Sequence, residues 1–451
     1  MKKRVKANWA DPLTTAENEK LPGWLKWIWS IRGLAFSINT VLMLQITYYC
    51  TDMLGLAPTL VGTMLMASKV LDAFTDLIAG YIVDKTNTRW GKGRPYDIAI
   101  SLTWLCTVLL FSTPNFGTVG KAVYVFIMYA LVNSVCSTLC MVADPVYLGN
   151  AIRSDKNKMS VTSFQGALIM IGASVVGILV PQLVGTFGTE KSGWTIIALI
   201  FAVPSAIVGS IRMFMIKEVN LEKKQAEGVK SNYSIGEGLK ALSKNGFAIL
   251  LCVLVILNNT QQTIATAASN YYFKWIFGNV SLASLVSLPT MLTPLILIFV
   301  PALSRKIGTG KVLKAGFISM VAGYIVRLVG GANLTTILIG SLFTAIGTIP
   351  IGTLLSIYSI ECMDYGEKKT GIRLEGLIAS TSSFAYKLGG GIGSGLLGIF
   401  MGMSGYLSSE TATSQPASAI SMIYFVFNGL PLIIAVIATV LSMFYNIKKN
   451  R

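Results

Sequence analysis

The chain has 451 residues, 53% of them hydrophobic and only 13% charged, where a soluble domain carries about 25% charged residues. This composition excludes an ordinary soluble protein and describes an integral membrane protein. A formal net charge of +17 raises anionic lipid or nucleic acid as partners, but its placement in the loops removes the need for a nucleic-acid partner. No histidine is present, so the commonest proton shuttle and metal ligand is missing, and proton coupling would have to run through carboxylates. The cysteines at 50, 106, 136, 140, 252 and 362 have neither disulfide-framework nor zinc-site spacing. Cys136 and Cys140, one helical turn apart, read as small packing residues.

Residues 1–30 are polar for too long to form a secretory signal and read as a cytoplasmic segment before a retained first span. Apolar stretches of about 20 residues, each enough to cross a bilayer, occur at 31–50, 59–83, 96–113, 121–147, 161–187 and 194–216. After a polar linker over 217–246 they resume at 247–276, 280–302, 312–331, 334–361, 375–402 and 418–446, and 447–451 form a tail. The expected fold class is therefore all-α and membrane-integral: twelve transmembrane helices in two six-helix bundles, 31–216 and 247–446. Two repeated bundles facing a midplane cavity are a transporter arrangement. Just before span 7, SIGEGLKALSKN has helical apolar spacing and is expected to lie along the cytoplasmic surface as a strap.

Positive residues gather in alternate loops. Lys85, Arg89, Lys92 and Arg94 follow span 2, Arg153, Lys156 and Lys158 follow span 4, and Lys217, Lys223, Lys224 and Lys230 lie in the linker. Arg305, Lys306 and Lys311 follow span 8, and Lys368, Lys369 and Arg373 follow span 10. The opposite loops are nearly bare. By the positive-inside rule both termini and the linker are cytoplasmic in a multi-pass cell-membrane protein.

Inside the spans, Lys69, Asp72 and Asp76 of VGTMLMASKVLDAFTDLIAGYIVD share one helix face over about 10 Å. Each charge near the bilayer centre costs about 2.5–3.5 kcal/mol on insertion scales. The trio is either a buried structural ion pair or an ion site, and the spacing favours the site. Two carboxylates at i, i+4 repel when both are charged and dry, and stop repelling when a cation lies between them or one is protonated. Lys387, mid-span in STSSFAYKLGGGIGSGLLGIF, calls for a carboxylate partner, with Asp72 or Asp76 the first choice. Gly389 and Gly393 beside it permit close helix approach. Asp144, before Pro145, reads as a helix end or a site residue. Asn258, Asn259, Gln261 and Gln262 form a polar knot in span 7 suited to hydroxylated substrates or to interhelical bonds. Asn39, Gln45, Gln165, Ser382 and Ser383 are further polar candidates, and Tyr147, Tyr358 and Trp104 are aromatic ones.

GYIVDKTNTRWGKGRPY after span 2 resembles the major facilitator loop motif (here Gly80, Asp84, Arg89, Lys92 and Arg94), in the form found in glycoside–pentoside–hexuronide:cation symporters. YYCTDMLGL, YYFKWIFGN and DYGEKKTGIRLEG resemble the same family, whose best-known members are the melibiose permeases, so the resemblance runs over nearly the whole chain. It implies symport of a sugar with Na⁺, Li⁺ or H⁺ by alternating access. It places Asp72 and Asp76 at the family's cation-site pair, Lys69 at its helix II basic position and Lys387 at its helix XI lysine. On the sugar side the chain departs: Phe36 and Gln165 stand where melibiose permeases carry an acidic residue and an arginine, and Ala143 precedes Asp144 where an acidic residue or Asn is usual.

The resulting expectation is a cation-coupled sugar symporter. Asp72, Asp76, Asp144 and Lys387 are its coupling residues, with Asp72 and Asp76 holding Na⁺ if sodium is used. Asn39, Lys69, Asp72, Asp144, Tyr147, Gln165, Asn258, Gln262, Ser383 and Lys387 are its substrate residues. No cofactor beyond the coupling ion and no partner beyond sugar, cation and bilayer are expected, with the monomer as the working unit. A lysolipid carrier or an uncoupled sugar facilitator of the same fold is the alternative. An enzyme fits poorly without a histidine, metal cluster or nucleophile motif.

Overall fold

A computed structural model of the chain describes residues 21–86, 88–152, 155–218, 235–292, 306–371, 375–407 and 414–446, together with 296, 299–300 and 303–304. Among these the chain is helical, with no strand beyond an isolated bridge between Thr88 and Gly91. Helix α1 is Gly23–Met43, prolonged by Ile46–Tyr48 and a π segment, Tyr49–Met53; α2 is Pro58–Lys85 and α3 is Ala99–Phe111. Helix α4 covers Thr118–Ala151, with a π segment at Leu131–Ser137. Helices α5 (Asp155–Phe187) and α6 (Lys191–Met215) complete the first half. The second half contains α7 (Ile235–Lys244), α8 (Gly246–Trp275), α9 (Thr309–Val329), α10 (Leu334–Thr370), α11 (Glu375–Met403) and α12 (Ala417–Met443). A helix stands at every expected span but the eighth, where short turns over Val280–Leu292 are described and much of the rest lies outside the described residues. Among the described residues, 8 helices are long and apolar enough to cross a bilayer.

Several helices outrun the apolar windows because their polar ends are satisfied locally. Helix α1 starts at Gly23 rather than near 31: Lys26 Nζ donates to Ser160 Oγ at 2.8 Å, and Arg32 is paired deeper in the fold. Helix α10 runs on through the DYGEKK residues to Thr370, where Gly371, at φ 72°, closes it in the left-handed conformation that glycine adopts without penalty. Asn245 caps α8 by accepting from Ala248 N–H, and its amide donates to Cys362 O at 2.8 Å. Ala241 of α7 is buried in the second half's core, which ties the expected strap to α8 and α10.

The helices group into two compact units. The first comprises Met1–Met43, Leu71–Val176 and Lys191–Lys230; the second comprises Leu44–Val70, Gly177–Glu190 and Ser231–Arg451. Leu25, Trp29, Tyr147 and Val161 form an apolar core in the first, and Leu254, Met320, Tyr358, Ala385 and Tyr445 lie in the core of the second. The end of α1, the start of α2 and the end of α5 thus group with the second half of the chain.

Candidate cation and substrate site

The carboxylates of α2 meet a matching hydroxyl ladder on α4. Asp72, 2% exposed, accepts from Ser134 Oγ, and Asp76, half-buried, accepts from Thr138 Oγ1 at 3.0 Å. Both pairs repeat at i, i+4, so the two helix faces match rung for rung. Ser134 belongs to the π segment, whose wider turn shifts which side chains α4 presents. Four oxygen donors of this kind suit a hard cation such as Na⁺, and the same carboxylates can take a proton instead. No group of three or more His, Cys, Asp or Glu with metal-site placement occurs among the described residues. The spacing signal on α2 was legible in the sequence; Ser134 and Thr138 looked like ordinary small residues of an apolar helix.

A second charged group lies in the same unit. Arg212, with a side chain 0% exposed, donates through Nε to Asp97 Oδ2 at 2.7 Å and through Nη2 to Asp97 Oδ1. Its Nη1 donates to Asp144 Oδ1 at 2.7 Å, and Arg32 Nη1 reaches the same oxygen at 3.1 Å. Arg32 also lies 3.5 Å from Asp97 and donates to Cys140 O at 2.6 Å. The Arg212 guanidinium stacks on Trp29 and Tyr147, 4.2 and 4.7 Å from their ring centres. Two buried cations thus face two carboxylates, the arrangement that makes burial of all four tolerable. Asp144 is the least buried of them, its side chain 22% exposed. Arg32, Asp97 and Arg212 all fall inside the apolar windows read from the sequence. The rule that flagged Lys69 applies to them equally, and the sequence reading passed them over.

The other candidates distribute as follows. Asn39 is buried in the first unit, its amide donating to Thr107 Oγ1 at 2.7 Å. Tyr147 is buried with its hydroxyl donating to Ile216 O at 2.5 Å. Lys69, Asn258, Gln262, Ser383 and Lys387 belong to the second unit, whereas Asp72, Asp76, Asp144 and Gln165 belong to the first. Asn258 is buried, and its Oδ1 has no hydrogen-bond partner among the described residues; Gln262 and Ser383 are exposed, and Lys69 and Lys387 half-buried. Helix α11 carries two glycine edges. A Cβ on Gly389 or Gly393 would stand 2.6–2.8 Å from the Ile256 or Thr260 carbonyl of α8, and one on Gly398 would stand 2.4 Å from Pro58 O of α2. Only glycine lets these helices approach so closely.

The loop motif is organised by a residue the sequence reading did not single out. The Glu218 carboxylate accepts from the backbone N–H groups of Lys92, Gly93 and Arg94 at 2.7, 2.8 and 2.5 Å. Asn150 Nδ2 donates to it at 3.3 Å, and Arg94 Nε donates to Met213 O at 2.6 Å. Arg89 lies over the Trp90 ring. Gly80 and Asp84 fall in the last turns of α2; the Asp84 side chain lies outside the described residues.

A profile for MFS/sugar transport proteins matches residues 33–449. The chain belongs to that family. It is 26% identical over 426 residues to an isoprimeverose transporter of Lactiplantibacillus pentosus, covering 92% of this chain and 86% of the relative. It is 27% identical over 408 residues to a putative glycoside/cation symporter of Escherichia coli, covering 87% and 85%, and 25% identical over 390 residues to a glucuronide carrier protein homolog of the same organism, covering 85% and 83%. Among solved structures it is similar to a bacterial homolog of the lysosomal transporter Spinster, with a TM-score of 0.68 at 13% identity over 95% of this chain and 97% of the other. It is also similar to the D-xylose–proton symporter, with a TM-score of 0.64 at 14% identity over 92% and 96%. The fold is that of the major facilitator superfamily, and the sequence resemblance to its sugar:cation branch is borne out.

Proposed function

We propose that the chain is a secondary active symporter that moves a sugar of the glycoside, pentoside or hexuronide class together with Na⁺ or H⁺ by alternating access. It would work as a monomer in the cell membrane with both termini cytoplasmic and with six-helix bundles at 31–216 and 247–446. The observation that carries this reading is the ladder of Asp72 and Asp76 on α2 against Ser134 and Thr138 on α4. Two carboxylates one turn apart need a positive charge to be dry together, so cation occupancy decides when the site can close and move. Family membership and the relatives' names, which include a glycoside/cation symporter and an isoprimeverose transporter, supply the substrate class. Asp144, Gln165, Asn258, Gln262, Ser383, Lys69 and Lys387 are the residues proposed to meet the sugar, with Lys387 answering the α2 carboxylates. The loop that Glu218 holds, with Arg89, Lys92 and Arg94, is proposed to govern switching between the two access states.

The test is uptake in proteoliposomes of labelled glycosides, pentoses and hexuronides, with Na⁺ and pH gradients imposed separately. Accumulation driven by one gradient supports symport and names the cation. Equilibration independent of either gradient makes the chain a facilitator.

A further inference from the structure

Asp52 sits in the π segment that ends α1, in the YYCTD motif. Its side chain is 0% exposed, yet Thr51, Lys274 and Tyr406 all answer it. Thr51 Oγ1 donates to Oδ2 at 3.0 Å, Lys274 Nζ at the end of α8 donates to Oδ1 at 3.0 Å, and the Tyr406 hydroxyl beyond α11 donates to both oxygens at 3.0 and 2.9 Å. Tyr406 is itself held by Trp275 Nε1 at 2.9 Å, and Lys274 lies over the rings of Tyr48 and Trp275. Further along α1 the same pairing continues: Thr51 with the Tyr271 hydroxyl at 2.6 Å, then Gln45 with the Asn270 amide. On the neighbouring edge Gly62 of α2 meets Gly398 of α11, where a Cβ on Gly62 would stand 2.8 Å from Gly398 Cα. All of these residues lie in the second unit.

We infer that Asp52, Lys274 and Tyr406 form the latch of an outer gate, and that the described structure has this latch closed. The inference rests on the proposed transport cycle and on its orientation, in which the ends of α1 and α8 face outward. The bonds of Asp52 to Lys274 and Tyr406, of Thr51 to Tyr271 and of Gln45 to Asn270 each join a residue before 70 to one after 260, so opening the outer side separates these four pairs. Their chemistry suits repeated separation. Carboxylate, ammonium, hydroxyl and amide groups regain water partners when they part, so each bond contributes only a modest net stabilisation while remaining specific in the closed state. An apolar seal of the same extent would expose its surface at every opening. The ion pair supplies the strongest and most directional part, because a charge-assisted bond outweighs a neutral one.

The experiment places a reporter cysteine at Gln45, behind the latch, and measures its alkylation by a membrane-impermeant maleimide added from outside intact cells, with the modified site located by mass spectrometry. Q45C alone, which already lacks the Gln45–Asn270 bond, is the parent that every comparison shares. Adding Lys274→Gln, a change at a side chain still 22% exposed and therefore mild for folding, should raise the alkylation rate about tenfold, as should Asp52→Asn, because each variant shifts population towards the outward-open state. The melting temperature of each purified variant, close to the parent's, shows that the rise is not unfolding. Equal alkylation in the parent and in folded Lys274→Gln overturns the latch. The readout needs neither sugar nor cation, so the latch can fail while symport stands, and a failed uptake panel leaves the alkylation result intact.

Discussion

Replacing Arg212 by methionine keeps most of the side chain's length and removes only its charge and its donors. In the folded protein it strips Asp97 of a two-pronged partner and Asp144 of a 2.7 Å bond, leaving Arg32 as the one cation among the described residues to answer two carboxylates. Breaking a buried ion pair from one side costs about 3–5 kcal/mol, because the abandoned charge stays out of water. Loss of stacking on Trp29 and Tyr147 adds to this, since desolvated cation–π contacts reach about 2 kcal/mol. R212M alone is therefore expected to lower the apparent melting temperature of the purified protein severely. Adding Asp97→Asn removes the surplus anion and returns the group to one cation and one carboxylate. The double variant should melt above R212M, with a coupling energy of about 1–3 kcal/mol between the two sites. A double variant melting at or below R212M would refute the charge-balance argument and leave Arg212 as a packing and hydrogen-bonding residue. Because membrane proteins commonly unfold irreversibly, the ranking is read at one scan rate.

Asp76→Asn should abolish accumulation against a gradient while leaving exchange of substrate across the bilayer, since it removes one of the two charges a cation answers; undiminished concentrative uptake would contradict the coupling role. Glu218→Ala withdraws the acceptor of three loop N–H groups. Hydrogen exchange at Lys92–Arg94 should then rise about tenfold, the equivalent of about 1.4 kcal/mol and close to the lower bound of about 1.5–3 kcal/mol for a hydrogen bond to a charged group; an unchanged rate would show the loop is held by other contacts. Gly398→Val forces a side chain against Pro58 O and Gly62 Cα, and overpacking of this kind should slow transport about tenfold in protein that still reaches the membrane. Normal transport by that variant would show that α2 and α11 can part without loss.

Hydropathy located most of the helices because a bilayer imposes a length of apolar sequence that few other structures require. It misplaced the ends of α1, α5 and α10, where Lys26, Asp155 and the DYGEKK residues continue a helix whose polarity no apolar window tolerates. Asp72 and Asp76 stood out because their cost is local and one-sided: two like charges on one face. Arg32, Asp97, Asp144 and Arg212 are dispersed over 180 positions, and nothing in their spacing says that two cations will meet two anions. Ser134 and Thr138 were invisible for a related reason, since a hydroxyl in a membrane helix returns its bond to its own backbone as readily as it turns to a neighbour, as Thr103 and Thr107 do. The outer pairing of Asp52 depends on partners more than 200 residues away, and only the fold brings them together.

The buried arginine–aspartate group also sets an order of assembly. Along the growing chain its charges arrive as Arg32, Asp97, Asp144 and Arg212, that is plus, minus, minus, plus. A nascent chain that has inserted α1 to α4 already holds both carboxylates of this group but only one of its arginines, so the group is left with one anion in excess. Neutrality returns only when the last turn of α6 is made. Release from the insertion machinery before that point would leave a half-bundle that the lipid disfavours, so the first half of the protein is committed to its fold by the residue that completes it.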